Sequence, residues 1–447
     1  MRSAQKQAPG PRGYPLLGVV PFMIRRGAEY LLSAFREHGD VVQLRLLGPI
    51  RMFLISHPDD VEYVLKKNHR NFRVKRPSLH LEAMMGEGLT LSNGDLWLRQ
   101  RRLMQPAFHR QKIEGMAAAT ARRIAERLGD WKVGGSLDLA SEMEQLTLGA
   151  LLVALFGTGI GKDEARRVTR AVEQVLRVAG RGMFLEVPPF VPTPENLRVR
   201  RSLRDLTRVI LGLIEQRRNE PERGRHDLLS LLLEARDDDA TGMSERQLRD
   251  ELTSVLVAGY ESTAVTLTWT LYLLSQHPEV ERRLCAEIEA TLGGRTPELA
   301  DLARLPYLHQ VLSESMRCYA PFWAMTRQTI ADDEIGGYPI PARSLIVVSP
   351  FVTHKHPAFW DEPDRFDPDR FGAERSAERH RFAYFPFGAG PRFCIGERQA
   401  QLILQLSLSM ILQKYRLRPV PGHPIEIHTA MTIRPKHGLL MEVSAAA

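Results

Sequence analysis

Cysteine is scarce in this chain of 447 residues, which contains only Cys285, Cys318 and Cys394. Three scattered cysteines exclude a disulfide framework and a C-x-x-C metal site, and they fit a reducing compartment. The first 25 residues contain no long apolar run and are interrupted by prolines, so we expect neither a signal peptide nor an integral membrane anchor. The sequence therefore predicts a soluble, cytoplasmic protein.

Acidic residues are outnumbered, with 53 Asp and Glu against 61 Lys and Arg, which gives a formal net charge of +8. Such a balance suits nucleic acid, an anionic membrane surface or an acidic protein partner. Because no nucleic-acid-binding motif is present, we expect no nucleic-acid partner. Internal repeats and low-complexity tracts are also absent, and 43% hydrophobic residues suffice for a large core.

One long helix is predicted from a capping box at Ser244 and Gln247 to about residue 276. Its segment 252–275 is apolar nearly all round, with Glu261 as its one formal charge, so both a transmembrane helix and a buried central helix must be considered. Several serine and threonine residues make the segment polar for a membrane span. A central helix buried in protein therefore explains it better.

A glycine-rich loop over residues 387–396 contains Cys394 and runs into an apolar helical pattern from Glu397 to about Lys414. Three glycines and a proline force tight backbone turns around the sulfur. A thiol just before a helix N-terminus is biased toward the thiolate, which is the form that binds metals. Cys394 is thus either a buried structural cysteine or a metal ligand.

The surrounding residues favour the ligand. Phe387, Gly390, Arg392, Cys394 and Gly396 match the pattern F-x-x-G-x-R-x-C-x-G, and here the sequence resembles the cytochrome P-450 family. The resemblance implies that Cys394 is the axial thiolate ligand of a heme b iron and that Arg392 pairs with a heme propionate.

Further heme contacts are implied by the same resemblance. Phe387 and Gly388 belong to the ligand loop, and Trp97 and Arg101 match a W-x-x-x-R propionate contact on one helix face. Arg327 matches a third propionate contact. Arginine suits this role because its planar guanidinium binds a carboxylate through two hydrogen bonds.

The long helix contains Ala258-Gly259-Tyr260-Glu261-Ser262-Thr263, which resembles the family's A-G-x-D/E-T-T/S motif. By this resemblance Glu261 relays protons, and Ser262 or Thr263 supplies the hydroxyl that helps deliver them. Serine at 262 departs from the usual threonine. We expect Gly259 and hydroxyl bonding to the backbone to loosen the helix locally and admit water.

The apolar residues expected to face substrate lie on this helix and on the later segment 320–327. They are Val257, Ala258, Trp323, Ala324 and Met325. Such a lining implies a lipid-like or polycyclic substrate recognised by shape and hydrophobicity.

A structural cluster is implied by the E-x-x-R sequence at Glu314 and Arg317 together with Arg370. Alone, E-x-x-R is an ordinary surface charge pair. In the family pattern these three side chains form a buried cluster that locks the segment presenting the cysteine loop.

The resemblance implies a mainly α fold with a small β portion, in which the long central helix crosses the heme. We expect a single domain over residues 1–447, with residues 9–70 and 417–443 contributing most of the β-rich part and residues 95–414 the helical, heme-binding part. Residues 41–47 and 51–55 are expected to form a hairpin, and residues 58–67 a short helix. By the same resemblance, an irregular run over 70–92 and the proline-rich break at 187–192, beside apolar residues 183–185, are expected near the substrate. The proline-rich break is otherwise a plain connection between two helices.

The implied reaction is R–H + O2 + 2 e⁻ + 2 H⁺ → R–OH + H2O, a monooxygenase hydroxylation or epoxidation. At this chain length we expect the electrons to come from a separate ferredoxin or flavodoxin-type donor with its reductase. The stretch of Arg99, Arg102, Arg110 and Lys112 is either an ordinary solvated helix face or the basic docking face for that donor. Two other functions stay open: a heme-thiolate enzyme that uses peroxide or rearranges a hydroperoxide, and a non-catalytic heme sensor or carrier.

Overall fold

A computed structural model describes residues 7–75, 78–157, 162–181, 187–219, 227–237 and 239–446. Within these ranges the helices, in chain order, are α1 (Val20–His38), α2 (Pro58–Glu62), α3 (Leu79–Met85), α4 (Gly94–Met104), α5 (Arg110–Leu128), α6 (Leu139–Phe156), α7 (Lys162–Arg181), α8 (Pro194–Asn219), α9 (Leu228–Glu234), α10 (Glu245–Gln276), α11 (Pro278–Leu292), α12 (Leu299–Leu302), α13 (Pro306–Cys318), α14 (Pro350–Thr353), α15 (Ala373–Ala377) and α16 (Glu397–Lys414).

The strands are short and contain fewer residues in total than the helices. They are β1 (Val41–Arg45), β2 (Arg51–Ile55), β3 (Phe72–Val74), β4 (Ser136–Asp138), β5 (Met325–Thr329), β6 (Asp333–Ile335), β7 (Tyr338–Ile340), β8 (Leu345–Val348), β9 (Tyr415–Pro419), β10 (Ile427–Thr429), β11 (Ile433–Pro435) and β12 (Leu440–Ala445). A mainly α fold with a small β portion is therefore confirmed.

Most boundaries agree with the sequence-based expectations. The hairpin of β1 and β2, the long helix α10 and the helix α16 after the cysteine loop are all present. Residues 58–67 form α2 followed by one π-helical turn, Tyr63–Lys67. The expectation that residues 70–92 are irregular is wrong in part, because this run contains β3 and α3. Helix α1 and the strands β5 to β8 were missed, and residues 183–185 lie outside the described ranges.

The chain forms two compact units. The first contains the described residues of Met1–Pro77, Ser313–Cys394 and Ile427–Arg434, and the second those of Ser78–Leu312, Ile395–Glu426 and Pro435–Ala447. The expectation of one domain over residues 1–447 stays a prediction.

The first unit is built around a five-stranded sheet with the order β1-β2-β8-β5-β3. Strands β2 and β8 are parallel, with Phe53 opposite Ile346, whereas the other neighbours are antiparallel. One face of the sheet buries apolar side chains together with Phe382 and Phe385, which precede the cysteine loop. The sheet thus supports the segment that leads to Cys394.

Helix α1 is kinked at Gly27, where φ is 45°. A Cβ atom at this position would lie 2.4 Å from Cβ of Thr429. Only glycine can satisfy both the positive φ and this close approach. The kink separates the first two turns of α1 from the rest of the helix.

A buried ion cluster lies in the first unit, formed by the three residues for which the family resemblance implied it. Arg317 donates from Nε to Oε2 of Glu314 at 2.6 Å and from Nη2 to Oε1 at 2.8 Å, and Nε of Arg370 lies 3.4 Å from Oε1. Oε1 also accepts the backbone N–H of Asp367 at 2.9 Å. The three charged side chains are at most 3% exposed.

Arg317 also joins the cluster to the backbone, since it donates to the carbonyls of His354, Pro363 and Arg365 at 2.7–3.0 Å. These carbonyls belong to the chain between β8 and the cysteine loop. The cluster therefore fixes that segment from within.

The second unit is organised around α10, which packs against α3, α6, α8, α9, α11 and α16. The predicted capping box is present: Gln247 N–H donates to Oγ of Ser244 at 3.3 Å, and Ser244 N–H donates to Oε1 of Gln247 at 2.9 Å. A three-stranded sheet of the order β4-β12-β9 completes the unit. Both ends of the long helix are thus defined by local sequence.

We predict that Glu314→Ala lowers the free energy of unfolding by about 3–5 kcal/mol, because it leaves the guanidinium groups of two buried arginines without their carboxylate. The urea concentration at half-unfolding, followed by circular dichroism, measures the effect. Glu374→Ala, which removes an exposed carboxylate from α15, is the matched control and should change it by less than about 0.5 kcal/mol. Equal stability of the two variants would contradict the structural role of Glu314.

Candidate functional site

The cysteine loop is folded by its own backbone hydrogen bonds. Cys394 N–H donates to the Phe387 carbonyl at 2.9 Å, and Phe393 N–H donates to the Gly390 carbonyl at 3.0 Å. The Cys394 side chain is exposed, unlike that of Cys318, which is buried. The loop therefore presents a thiol at its surface, as a ligand requires.

Two glycines in this loop have a positive φ, 71° at Gly388 and 68° at Gly390. A Cβ atom at Gly390 would lie only 2.0 Å from the carbonyl oxygen of Leu65, in the π-helical turn after α2. Glycine is therefore required at 390 for close packing and at 388 for its backbone conformation.

His354 supports the start of the loop, and no sequence motif had pointed to this residue. Its Nε2 atom accepts the backbone N–H of Phe385 at 2.9 Å. Burial and the positive charge of Arg317 lower the pKa of His354 to about 3, so the ring is neutral and Nε2 stays an acceptor. The link joins the cysteine loop to the same segment that Arg317 holds.

Arg327 and Arg392 form a pair of cations in the first unit. Burial lowers the pKa of Arg327 to about 10. Burial and the positive charge of Arg327 lower the pKa of Arg392 to about 10. Two buried guanidinium groups of this kind would be stabilised by a bound anion, because an opposite charge relieves the cost of burial at both and the repulsion that Arg392 experiences from Arg327.

Trp97 and Arg101 belong to the second unit, in helix α4. They are four residues apart and both half-buried, on one side of the helix. The structure thus keeps the two predicted contacts on a common face.

The predicted acid and hydroxyl residues lie at the centre of α10. Glu261 and Thr263 are 2% exposed, whereas Ser262 is half-buried. The Ser262 hydroxyl donates to the Ala258 carbonyl at 2.8 Å, and Thr266 bonds to the Ser262 carbonyl in the same way. Because its proton is used by the backbone, Ser262 Oγ offers its lone pairs as acceptors.

Helix α10 is continuous from Glu245 to Gln276, and the expected hydroxyl bond to the backbone is present at Ser262, whereas the expected loosening near Gly259 stays a prediction. A Cβ atom at Gly259 would lie 3.2 Å from Cδ2 of Leu151 in α6. Glycine at 259 therefore permits close packing of α6 against α10, a reason that the motif alone could not reveal.

The predicted substrate-facing residues differ in exposure. Val257 is 1% and Trp323 is 5% exposed, whereas Ala258, Ala324 and Met325 are half-buried. The Trp323 indole N–H donates to the Ala430 carbonyl at 2.9 Å, which ties this side chain to the turn between β10 and β11. The exposures leave Ala258 in the second unit and Ala324 and Met325 in the first unit accessible to contact, and they favour an anchoring role for Trp323.

Two acids on α10 that sequence reasoning missed hold the segment 86–91, inside the run expected to cover the substrate. Glu87 N–H donates to Oδ2 of Asp250 at 3.1 Å, and Leu89 N–H donates to Oε2 of Glu251 at 2.9 Å. The side chain of Glu251 is fully buried. Burial, together with the negative charge of Asp250, raises the pKa of Glu251 to about 8.

The basic stretch on α4 and α5 is not uniform. Arg99 donates from Nε to Oδ2 of Asp237 at 2.8 Å and from Nη2 to the Gly242 carbonyl at 3.1 Å. Arg102, Arg110 and Lys112 are exposed. Arg99 therefore has a structural partner, and its charge is largely compensated within the second unit.

One helix among the described residues, Leu139–Phe156, is long and apolar enough to cross a membrane by length and composition, and 61% of it is buried in the fold. A core helix passes the same criteria, so this is weak evidence for a span. The segment 252–275, considered as a span from its sequence, does not meet them.

The family model described as Cytochrome P450 matches residues 8–442. Cyclooctat-9-en-7-ol 5-monooxygenase of Streptomyces melanosporofaciens is 38% identical over 418 residues, which cover 92% of this chain and 90% of that protein. Pentalenene oxygenase of Streptomyces avermitilis is 34% identical over 439 residues, covering 97% and 96%. The solved structure of retinoic acid bound cyanobacterial CYP120A1 is similar in fold, with a TM-score of 0.89 at 23% identity, covering 99% of this chain and 100% of that one.

We predict that Glu251→Gln becomes increasingly stabilising as the pH rises from 5 to 8. The folded protein keeps Glu251 protonated up to about pH 8, whereas the unfolded chain ionises it near the ordinary pKa of 4.5, so the native state loses relative stability across this window. Glutamine retains an acceptor for Leu89 N–H and cannot ionise. The gain should reach on the order of a few kcal/mol at pH 8.

Urea denaturation at pH 5 and pH 8 measures this gain, with Glu289→Gln, an exposed site on α11, as the control. A stability difference between Glu251→Gln and the parent that is the same at both pH values would contradict the raised pKa.

Proposed function

The chain belongs to the cytochrome P450 family, whose members are oxidoreductases, and we propose that this one inserts one oxygen atom of O2 into a hydrophobic, terpenoid-like substrate. The observation that carries the proposal is an exposed Cys394 in a glycine-constrained loop, in a chain that also carries a buried acid next to a hydroxyl on α10. The names of two relatives, a cyclooctatenol monooxygenase and a pentalenene oxygenase, support a terpenoid substrate.

Members of this family bind heme through a cysteine thiolate, and the residues of this chain fit such a group. The exposed Cys394 would be the iron ligand, and Gly388 leaves the space beside the loop free of a side chain. Arg327 and Arg392, two cations whose pKa values are lowered by burial, would pair with the anionic propionates of heme b. Trp97 and Arg101 on α4 would supply further propionate contacts.

Thiolate-ligated heme supplies, when bound, the O2-activating chemistry, because the thiolate pushes electron density toward the iron and favours O–O cleavage, as is general for this family. The balanced reaction is R–H + O2 + 2 e⁻ + 2 H⁺ → R–OH + H2O. The protein has to orient the substrate, exclude bulk water and deliver two protons.

Proton delivery is assigned to α10. The Glu261 carboxyl group is buried in the middle of the helix, where it can take up a proton and pass it on. Ser262 Oγ, whose own proton is bonded to the Ala258 carbonyl, accepts a hydrogen bond from a water and so orients it. Thr263 is the second candidate hydroxyl. Surrounding apolar side chains keep other water away.

Substrate contact is assigned to the half-buried apolar residues Ala258, Ala324 and Met325. Small and flexible side chains leave room for a bulky hydrocarbon and offer it dispersion contacts without polar selection. The carboxyl groups of Asp250 and Glu251 accept hydrogen bonds from backbone N–H groups of segment 86–91 and so fix its position. Gly86 and Gly88 permit this close approach, since a Cβ atom at either position would lie within 2.2 Å of an α10 side chain.

The supply of electrons is assigned to a separate ferredoxin or flavodoxin-type donor with its reductase. Arg102, Arg110 and Lys112 are exposed on neighbouring helices and form the basic docking face for that acidic protein. Arg99 is left out of this face because its side chain is only 28% exposed and is paired with Asp237, whereas the Arg110 side chain is 78% exposed although it pairs with Glu114.

We predict that the dithionite-reduced protein with carbon monoxide shows the strongly red-shifted Soret band of thiolate-ligated heme, and that Cys394→Ser abolishes it because the thiolate is lost. Cys285→Ser is the matched control and should retain the band. A band of unchanged position in Cys394→Ser, or none in the parent, would remove the basis of the monooxygenase assignment.

We predict that Ser262→Ala lowers the yield of product per electron pair several-fold and raises the release of hydrogen peroxide, because the water acceptor at Oγ is lost. Product, oxygen consumption and peroxide are measured together. Thr268→Val removes another hydroxyl that bonds to the backbone of α10 and serves as the control. Unchanged coupling in Ser262→Ala, with loss of coupling in Thr263→Val, would transfer the role to Thr263.

A further inference from the structure

An apolar turn projects from the first unit at residues 14–18. Tyr14 and Gly18 exchange two backbone hydrogen bonds of 2.9 Å, which closes the turn and places Leu16 and Leu17 at its tip. Leu16 is 80% exposed, the highest value among the exposed large apolar side chains of the described residues. Because the turn is closed by its own backbone, these leucines cannot fold back onto the protein without breaking it.

The turn is joined to the end of the β1–β2 hairpin. Gly48 N–H donates to the Leu16 carbonyl at 3.2 Å, and Val19 N–H donates to the Arg45 carbonyl at 2.8 Å. A Cβ atom at Gly18, where φ is 53°, would lie 1.9 Å from the same Arg45 carbonyl. Ile50, at the tip of the hairpin, is 47% exposed. Leu16 and Ile50 thus belong to one surface held by backbone contacts.

The first turns of α1 extend this surface. Phe22 stacks between Tyr14 and Tyr30, with ring centroids 5.4 and 5.6 Å apart, and Ile24 is 57% exposed. The helix buries Val20 and Met23 on its other side. We call Tyr14, Leu16, Leu17, Phe22, Ile24 and Ile50 the apolar tip surface.

The segments that form the apolar tip surface are rich in arginine. Segments 7–28 and 41–58 contain no Asp or Glu. Their arginines are all exposed: Arg12, Arg25, Arg26, Arg45 and Arg51. The exposed Glu29, four residues after Arg25 on α1, offsets only part of this positive charge. Exposed aliphatic and aromatic groups with an excess of cations are the composition of a surface that lies on an anionic bilayer, with apolar groups below the headgroups and arginines among the phosphates.

We propose that the apolar tip surface and its arginines dock the protein on the surface of a membrane containing anionic phospholipid. The charge matches phosphate headgroups, and the aliphatic side chains match the hydrocarbon just beneath them. A nucleic acid would satisfy the arginines but leave Leu16, Leu17 and Ile24 in water. A second copy of this chain bound through the same patch would place arginines against arginines.

This docking goes beyond the proposed reaction and does not depend on it. Apolar molecules partition into lipid, so an enzyme resting on the bilayer meets them at far higher concentration than in water. The contact is peripheral, because the turn and the hairpin tip are too short to cross a bilayer.

The test is flotation of the purified heme-loaded protein with vesicles of phosphatidylcholine alone, or of phosphatidylcholine and phosphatidylglycerol in equal parts. We expect binding to the anionic vesicles that weakens with salt. Leu16→Ser with Ile50→Ser, and separately Arg25→Gln with Arg26→Gln, should each lower the partition coefficient about tenfold or more. Val133→Ser, at an apolar residue 57% exposed in the second unit, should leave it unchanged.

Absence of binding to either vesicle would overturn the proposal, as would equal loss in the Val133→Ser control. The proposal would also be overturned if the arginine variant lost vesicle binding while the Leu16→Ser, Ile50→Ser variant kept it. Binding would then be purely electrostatic, without a contribution from the apolar side chains. The reduced carbon monoxide spectrum of each variant shows separately whether the heme site is intact, so failure of docking and failure of the proposed function are distinguishable.

Discussion

The carboxylate of Glu314 is the constraint on which the first unit depends. One buried group accepts two hydrogen bonds from Arg317 and one from the Asp367 N–H, and it lies beside Arg370. Arg317 in turn donates hydrogen bonds to three backbone carbonyls. The ion pair therefore also holds the chain segment that leads to the cysteine loop. An isolated buried charge would be too costly, and every charge here is compensated by another charge or by the backbone.

Buried acids also bind the backbone in the second unit. There the carboxyl groups on α10 accept hydrogen bonds from backbone N–H groups rather than from side chains. Asp250 and Glu251 accept N–H groups of segment 86–91, and the Ser262 hydroxyl bonds to a carbonyl one turn earlier. These tethers require close approach of α10 to the segment, and the approach restricts its sequence: a Cβ atom at Gly86 would lie 2.2 Å from Oδ2 of Asp250, and one at Gly88 would lie 2.0 Å from Oγ of Ser254. Glycine at these two positions lets the backbone reach its acceptors.

The arginines of this protein show how much a single residue type depends on its surroundings. Arg99 is paired with Asp237, and Arg317 bonds to Glu314 and to backbone carbonyls. Burial lowers the pKa values of Arg327 and Arg392. Arg25 and Arg26 lie exposed beside Ile24 at the apolar tip surface. The surroundings of each arginine are set by neighbours that are often distant in sequence.

The sequence by itself determined the elements whose signals are local. The cap at Ser244, the helix after Gly396, the hairpin of β1 and β2 and the cysteine loop are encoded by a few adjacent residues, and each was predictable. Tertiary structure decided what depends on distant partners: His354 beneath Phe385, Trp323 bound to Ala430, Glu251 bound to Leu89 and Gly259 packed on Leu151. The physical reason is that hydrogen bonds and packing act across space, whereas periodicity and capping act along the chain.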